Sequence, residues 1–236
     1  CNRGIALREL ARLNEALASY DKAISLNPDY ADAFNNRGIA LKAMERLAEA
    51  LASYDKAIFL DPHNASAQNN RGVVLKDMDR LTEALHSYDK AIDLQPTYAE
   101  AHCNRGVALK ALNRLDEAMT SYDEAIRLKA DLAEAYWNKA LLLLLMGELR
   151  QGWDLYEWRW KRTEQAPSVR SFPAPLWLGD TEIKGKSLLI HAEQGLGDTI
   201  QFCRYAKALK QLGCRVILEV QPALQDLLLD IEGVDG

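Results

Sequence analysis

The chain has 236 residues, 48% of them hydrophobic and 27% charged, the balance of a soluble globular protein of one or two domains. That excludes a disordered chain, a collagen-like chain and a disulfide scaffold. Lysine and arginine number 29 against 34 aspartates and glutamates, a formal charge of −5, so the chain lacks the basic excess that nucleic acid or an anionic membrane demands.

The longest apolar run, residues 140–146, falls far short of the roughly 20 residues that span a bilayer. Cys1, Cys103, Cys203 and Cys214 form no C-x-x-C pair and no metal-type grouping with the four histidines. They read as reduced thiols packed as small apolar groups, which points to a reducing compartment and a cytoplasmic chain.

From its first residue the chain repeats with a period of 34. AFNNRGIALKAMERLAEALASYDKAIFLDP from Ala33 falls on AQNNRGVVLKDMDRLTEALHSYDKAIDLQP from Ala67, and again on AHCNRGVALKALNRLDEAMTSYDEAIRLKA from Ala101. The opening CNRGIALRELARLNEALASYDKAISLNP is the same unit without its start, and AYWNKALLLLLMGELRQGWDLYEWRW from Ala135 is a worn fifth copy. Such units bury their apolar faces only by stacking on one another.

Each unit reads as two amphipathic helices. In the second unit Phe34, Gly38, Leu41 and Leu47 outline helix A, and Ala50, Tyr54 and Ala57 outline helix B. Pro28, Pro62 and Pro96 stop the B helices, because proline lacks the amide hydrogen. Glycine recurs at 4, 38, 72 and 106, alanine at 16, 50, 84 and 118, and tyrosine at 20, 54, 88 and 122. Unit four has Ala130 in place of the proline, while unit five has Ala140 for the glycine and Gly152 for the alanine. The pattern resembles the tetratricopeptide repeat (TPR). That resemblance implies a helix-turn-helix solenoid with four units over 1–132 and a degenerate capping unit over 133–162. It also implies a groove lined by the A helices.

Asn2, Asn36, Asn70, Asn104 and Asn138 recur at one A-helix position. Carboxamides offer a donor and an acceptor to the backbone of an extended peptide; O-linked N-acetylglucosamine transferases have a similar asparagine ladder. The other reading is that asparagine is merely common at this position. Arg8, Lys42, Lys76 and Lys110 lie six residues further on and favour an acidic or phosphorylated partner. Arg3, Arg37, Arg71 and Arg105 follow each asparagine; there the better reading folds the stem along the helix to pair with a carboxylate. A chaperone-type carboxylate clamp, which pairs a lysine with an asparagine one turn later, is disfavoured, since Asp32, Glu100 and Glu134 stand one turn before the asparagines.

After Trp160 the register ends, and residues 163–184 read as a connector with three prolines. Trp153, Tyr156, Trp158, Trp160, Phe172 and Trp177 are expected to seal the end of the solenoid against the next domain. Over 185–236 the order is strand (KSLLIHAEQ), glycine turn (GLGD), helix (TIQFCRYAKALKQLG), strand (CRVILEV) and helix (QPALQDLLLDIEG), the start of a parallel α/β sheet. Gly195 and Gly197 permit a close backbone approach, and a helix starting near Thr199 would aim amide hydrogens at an anion. The alternative is a plain turn with Asp198 as helix cap. A dinucleotide site would want a small residue at Ile200, although Glu219 stands where a ribose-binding acid would lie.

WDLYEWRW, FPAPLW and LLIHAEQGLGDTIQFCRYAKAL together resemble bacterial proteins that fuse TPR units to a heptosyltransferase-like domain of glycosyltransferase family nine, with two Rossmann-like halves of the GT-B type. The resemblance implies Asp198 as the base at the acceptor hydroxyl, with His191 contacting the acceptor or orienting Asp198, and a nucleotide-sugar donor bound by the whole protein but no cofactor in this chain. The alternative is a non-catalytic adaptor whose α/β part closes the solenoid. The chain starts on Cys1 inside a repeat, so we expect a fragment, with repeats upstream and the rest of the α/β domain beyond Gly236.

Overall fold

The computed structural model describes residues 1–162, 172–179, 181–193 and 195–236. It divides into two compact units, Cys1–Val169 and Arg170–Gly236. Part of the expected connector, residues 163–171, lies outside the described residues.

The first unit is five helix pairs in sequence order: α1 Asn2–Glu9 with α2 Leu13–Leu26, α3 Ala31–Ala43 with α4 Leu47–Leu60, α5 Ala65–Asp77 with α6 Leu81–Leu94, α7 Ala99–Ala111 with α8 Leu115–Leu128, and α9 Ala133–Met146 with α10 Leu149–Tyr156. Odd-numbered helices are the A helices and even-numbered ones the B helices. Leu47 opens α4 and does not belong to helix A as the periodicity suggested. A three-residue turn separates α3 from α4, and apolar spacing alone runs on across that turn into the next helix.

Each of the first four A helices packs on its own B helix through a glycine and a tyrosine. A Cβ added at Gly4, Gly38, Gly72 or Gly106 would lie 2.5 to 2.6 Å from Cε1 of Tyr20, Tyr54, Tyr88 or Tyr122. No real side chain tolerates that separation, and the four rings are at most 1% exposed. The neighbouring Ala16, Ala50, Ala84 and Ala118 are fully buried, so the ring is held between small residues. Burial away from water pushes the hydroxyl pKa of Tyr54, Tyr88 and Tyr122 upward. In the fifth pair the exchange of glycine and alanine moves the tight spot: a Cβ on Gly152 would meet the Leu144 side chain at 2.7 Å.

Every A helix ends in the same way. The amide of Arg46 donates to Leu41 O at 2.9 Å and that of Glu45 to Lys42 O at 2.9 Å, the two bonds of a Schellman cap. The same pair recurs at Arg12 and Ala11, Arg80 and Asp79, Arg114 and Asn113, and Glu148 and Gly147. The penultimate residue of each turn is left-handed, with φ of 56° at Ala11, 59° at Glu45, 60° at Asp79, 59° at Asn113 and 87° at Gly147. The first four B helices then open on an arginine that forks onto a glutamate three residues later, as in Arg46 to Glu49 at 2.7 and 2.8 Å, while α10 opens on Glu148. This hydrogen bond holds the Glu49 carboxyl below the usual range. They close at Leu26, Leu60, Leu94 and Leu128 alike. In unit four, where Ala130 replaces proline, the turn from Lys129 O to the amide of Leu132 at 3.1 Å keeps the same shape, so proline reinforces this stop without being required for it.

In the second unit β1 Ser187–His191 runs parallel to β2 Arg215–Glu219, with Leu188 opposite Val216 and His191 opposite Glu219. Leu188, Ile190, Val216 and Leu218 share one face. They join a core with Ile183, Ala206, Cys203 and Leu228, while Leu189 on the other face is 41% exposed. Asp235 and Gly236 lie along the β2 edge that faces away from β1, through Asp235 N to Val216 O at 2.7 Å and Leu218 N to Gly236 O at 2.9 Å. The connection expected as one helix is two, α11 Leu196–Phe202 and α12 Tyr205–Gln211. The last expected helix is a 3₁₀ turn, Pro222–Leu224, followed by α13 Gln225–Leu228. Two parallel strands do not define a Rossmann-like domain; the described chain is mostly helical solenoid.

A left-handed backbone costs a non-glycine residue about 1–2 kcal/mol, and the extra freedom of glycine in the unfolded chain costs about 0.4–1 kcal/mol. Glu45→Gly is therefore expected to raise unfolding stability by roughly 0.5–1 kcal/mol in a denaturant titration; a loss of stability would contradict the strain assigned to this turn.

Candidate functional site

Successive A helices touch one another directly, α3 to α5, α5 to α7 and α7 to α9, so the A faces form one continuous inner surface. Its contacts obey a single step. Asn70 Nδ2 donates to Asn35 Oδ1 at 3.1 Å and Asn104 Nδ2 to Asn69 Oδ1 at 3.0 Å. Asn36 and Asn138 reach the Sγ atoms of Cys1 and Cys103 at 3.7 and 3.9 Å. In each case residue i meets residue i+35 of the next A helix.

The asparagine ladder thus gives its amide nitrogens to the stack. Asn36 and Asn138 also bond the carbonyls of Asp32 and Glu134, both at 2.8 Å, and Asn2, in α1, is exposed. No described group donates to the carbonyl oxygens of Asn36, Asn70, Asn104 and Asn138, so four acceptors stand in line. Sequence reasoning missed their supports: Asn35 and Asn69 are 8% and 5% exposed. The doubled Asn-Asn at 35–36 and 69–70 was the available signal, hidden because Cys103 and Trp137 interrupt that row.

Three residues beyond each asparagine stands an apolar side chain, Ile5, Ile39, Val73, Val107 or Leu141, all partly buried. Three further on stands the cation row, and this i, i+3, i+6 spacing keeps the three rows on one helical face. The arginines that follow the asparagines turn away from it. Arg37 bridges Asp21 at 2.8 Å and Ser53 Oγ at 2.7 Å; Arg71 bridges Asp55 and Ser87, and Arg105 bridges Asp89 and Ser121. One partner lies in the preceding B helix and the other in its own. The serines are at most 2% exposed, so this row ties the stack together. In unit five Lys139 keeps only the acid, Asp123 at 2.5 Å, and position 155, where the serine would be, is leucine.

The lysine row is partly engaged within the chain. Lys42 and Lys76 share one carboxylate, Asp77, at 3.4 and 3.1 Å. Lys110 has no acidic partner among the described residues, and burial lowers its ammonium pKa by disfavouring the charge. Glu100 pairs with Lys129 at 2.8 Å and Glu134 with Arg162 at 2.7 Å.

At the far end a 3₁₀ turn, Glu157–Lys161, packs on α9. Trp158 stacks on Tyr136 at 3.8 Å, Trp137 meets Tyr156 at 4.7 Å, and Arg162 lies over Trp137 at 5.2 Å. Trp153, Tyr156, Trp158 and Trp160 thus belong to the solenoid unit, and Phe172 and Trp177 to the second unit.

In the second unit the glycine turn is simpler than expected. Gly195 caps α11 with φ −66°, and Asp198 lies inside the first turn, making no cap bond. Gly195 and Gly197 are absent from the positive-φ residues, and a Cβ on Gly197 would meet nothing within 4 Å. Neither glycine is needed for the backbone path. Asp198 is exposed. Thr199 Oγ1 donates to Gln221 Oε1 at 2.9 Å, tying α11 to the chain after β2. His191 packs on Phe172 at 4.9 Å and makes no hydrogen bond to Asp198 among the described residues. Ile200 is 45% exposed.

The four cysteines are free, and burial pushes the Cys103 thiol up to about 12, which keeps it protonated and unreactive. Among the described residues no cluster of three or more histidine, cysteine, aspartate or glutamate side chains is placed to hold a metal. No helix among them is long and apolar enough to cross a membrane.

The fold and these faces define an α-solenoid whose A helices line an inner surface. Its family follows from comparison: the model of the TPR repeat matches residues 4–45, 75–113 and 108–147, and that of the tetratricopeptide repeat matches residues 31–64. The chain carries an array of tetratricopeptide repeats, a protein-protein interaction module. Comparison with curated proteins finds no match. Among solved structures the chain is similar to PilF of Pseudomonas aeruginosa, with 24% identity and a TM-score of 0.62 over 66% of this chain and 72% of that one. It is also similar to MamA of Desulfovibrio magneticus RS-1, with 17% identity, a TM-score of 0.60, and 71% and 94% covered. A third is YrrB, described as a TPR protein with an unusual peptide-binding site, with 24% identity, a TM-score of 0.54, and 68% and 82% covered. At these identities the likeness establishes the fold.

Lysine cannot fork onto an acid and a hydroxyl as arginine does. Arg71→Lys is expected to cost about 1–2 kcal/mol, set by the buried Ser87 bond more than by the half-exposed Asp55. A double-mutant cycle with Ser87→Ala checks this, and coupling near zero would contradict it.

Proposed function

We propose that this chain is an adaptor module that holds an extended peptide along its A-helix face. The observation that carries the reading is the row of unengaged carbonyl oxygens on Asn36, Asn70, Asn104 and Asn138, each fixed by its own amide bond to the stack. A peptide backbone donates to those oxygens, its side chains rest on Ile39, Val73 and Val107, and Lys42, Lys76 and Lys110 flank it. Packed helices lie about 8–10 Å apart, and an extended polyproline-like chain repeats its orientation every three residues, about 9 Å. One backbone amide per repeat can therefore meet one asparagine, and four repeats take roughly twelve residues. The peptide-binding description of YrrB, similar in fold, supports the same use. We place the module in the cytoplasm, on the four unpaired thiols.

A finer reading attaches this module to a glycosyltransferase-like domain that takes a sugar from a nucleotide-sugar donor, with Asp198 as base. The parallel β1–β2 pair and the exposed Asp198 carboxylate support it, and a carboxylate in reach of an acceptor hydroxyl is suited to proton removal. The plain adaptor fits at least as well, because Asp198 makes no bond to His191 among the described residues.

For the adaptor, twelve-residue peptides selected by display on the intact chain are expected to bind Val73→Lys at least tenfold more weakly, and Lys90→Glu, on an exposed B-helix site, as wild type does. Equal binding to Val73→Lys would remove the A face from the site. For the transferase, calorimetry of the whole protein against a panel of nucleotide sugars should give heat with one donor and turnover that Asp198→Ala abolishes. Silence from a folded chain leaves the adaptor alone.

A further inference from the structure

We infer that Lys110 and Leu145 form the specificity point of the A-helix groove, taking an acidic residue beside an apolar one in the bound segment of a partner protein. The inference rests on the peptide-binding reading above and goes on to name the chemistry of the occupant.

The step of 35 sets which side chains meet along the groove. It joins Cys1 to Asn36, Asn35 to Asn70, Asn69 to Asn104 and Cys103 to Asn138, and in the cation row it joins Lys42 to Asp77. Applied to the rest of that row, it sets Ala43 beside Arg8, Ala111 beside Lys76, and Leu145 beside Lys110. Asp77 is thus the one acid in the row, and it serves the two middle lysines. Glu100 and Glu134, the acids of α7 and α9, are already paired with Lys129 and Arg162.

Lys110 is therefore a partly buried cation that meets an apolar neighbour where Lys42 meets a carboxylate. A buried charge without a counter-charge is costly, and a carboxylate brought by a ligand recovers that cost. The lowered ammonium pKa has the same origin. Leu145 is 66% exposed, and with Met146 beside it on α9, 42% exposed, it offers apolar surface for a ligand that reaches Lys110. Arg8, at the opposite end of the row, also has no acidic partner among the described residues. Its neighbour Ala43 presents only a methyl group, so the acid-plus-apolar combination exists at the Lys110 end alone.

The test uses fluorescein-labelled dodecapeptide pools with a fixed central Glu-Leu or Leu-Glu pair in degenerate flanks, and matching pools with Gln in place of Glu. Binding to the intact chain is read by fluorescence polarisation. Wild type is expected to bind the Glu pools about tenfold or more tightly than the Gln pools, the range of a hydrogen bond to a charged group. Lys110→Gln should erase the preference by removing the cation. Leu145→Asp should erase it independently, by supplying from within the acid that Asp77 supplies to Lys42. A preference that survives in either variant overturns the inference. Equal binding of both pools by wild type overturns it and leaves the groove reading standing. Binding of neither pool removes both.

Discussion

The contact of a glycine with a tyrosine ring, repeated four times, is the constraint from which the rest of the solenoid derives. With no Cβ on helix A, the ring of helix B lies directly on the helix backbone and is fully withdrawn from water. Any larger residue at Gly38 or Gly72 would meet the ring at a distance no atom accepts. That closeness fixes how each pair sits. It also brings the arginine beside the glycine within reach of a serine on its own B helix and an aspartate on the preceding one. Pair geometry and pair-to-pair stacking are therefore coupled through adjacent residues, Gly72 and Arg71 among them. The regular step of 35 along the A face is the outcome, and the asparagine, apolar and cation rows inherit their alignment from it.

Much of this was legible because repetition multiplies a weak signal. The helix pairs, the Gly and Tyr rows and the folded-back arginines could all be read from the period alone. The left-handed turns could not: Ala11, Glu45, Asp79 and Asn113 share no residue type, because the two cap bonds that impose the conformation come from backbone groups. Only Gly147 carries a visible mark. The step across the stack was equally hidden, since the sequence repeats every 34 residues while neighbouring A helices meet one residue further on. A row such as Lys42, Lys76 and Lys110 looks uniform in sequence, yet Asp77 pairs with the first two and no described acid pairs with the last.

The second unit was read less well, for a reason of size. Its strands are five residues each, and one sheet face carries its small core. The run from Thr199 to Gly213 has an unbroken helical pattern, but the chain turns at Cys203 and Arg204, with Cys203 Sγ donating to Ile200 O at 3.0 Å. The glycine turn similarly suggested special backbone that Gly195 and Gly197 do not adopt. With no repeat to average over, local pattern had nothing to correct it.

In the proposed function the carbonyl oxygens of the asparagine ladder receive the backbone of an extended peptide. Side-chain carboxamide resonances of the intact, nitrogen-labelled chain report on it directly when a display-selected dodecapeptide is added. The signals of Asn36, Asn70 and Asn104 are expected to shift together, with one binding curve, while that of Asn27, in a turn after a B helix, stays in place. Saturable peptide binding that leaves the three ladder carboxamides unmoved would contradict it.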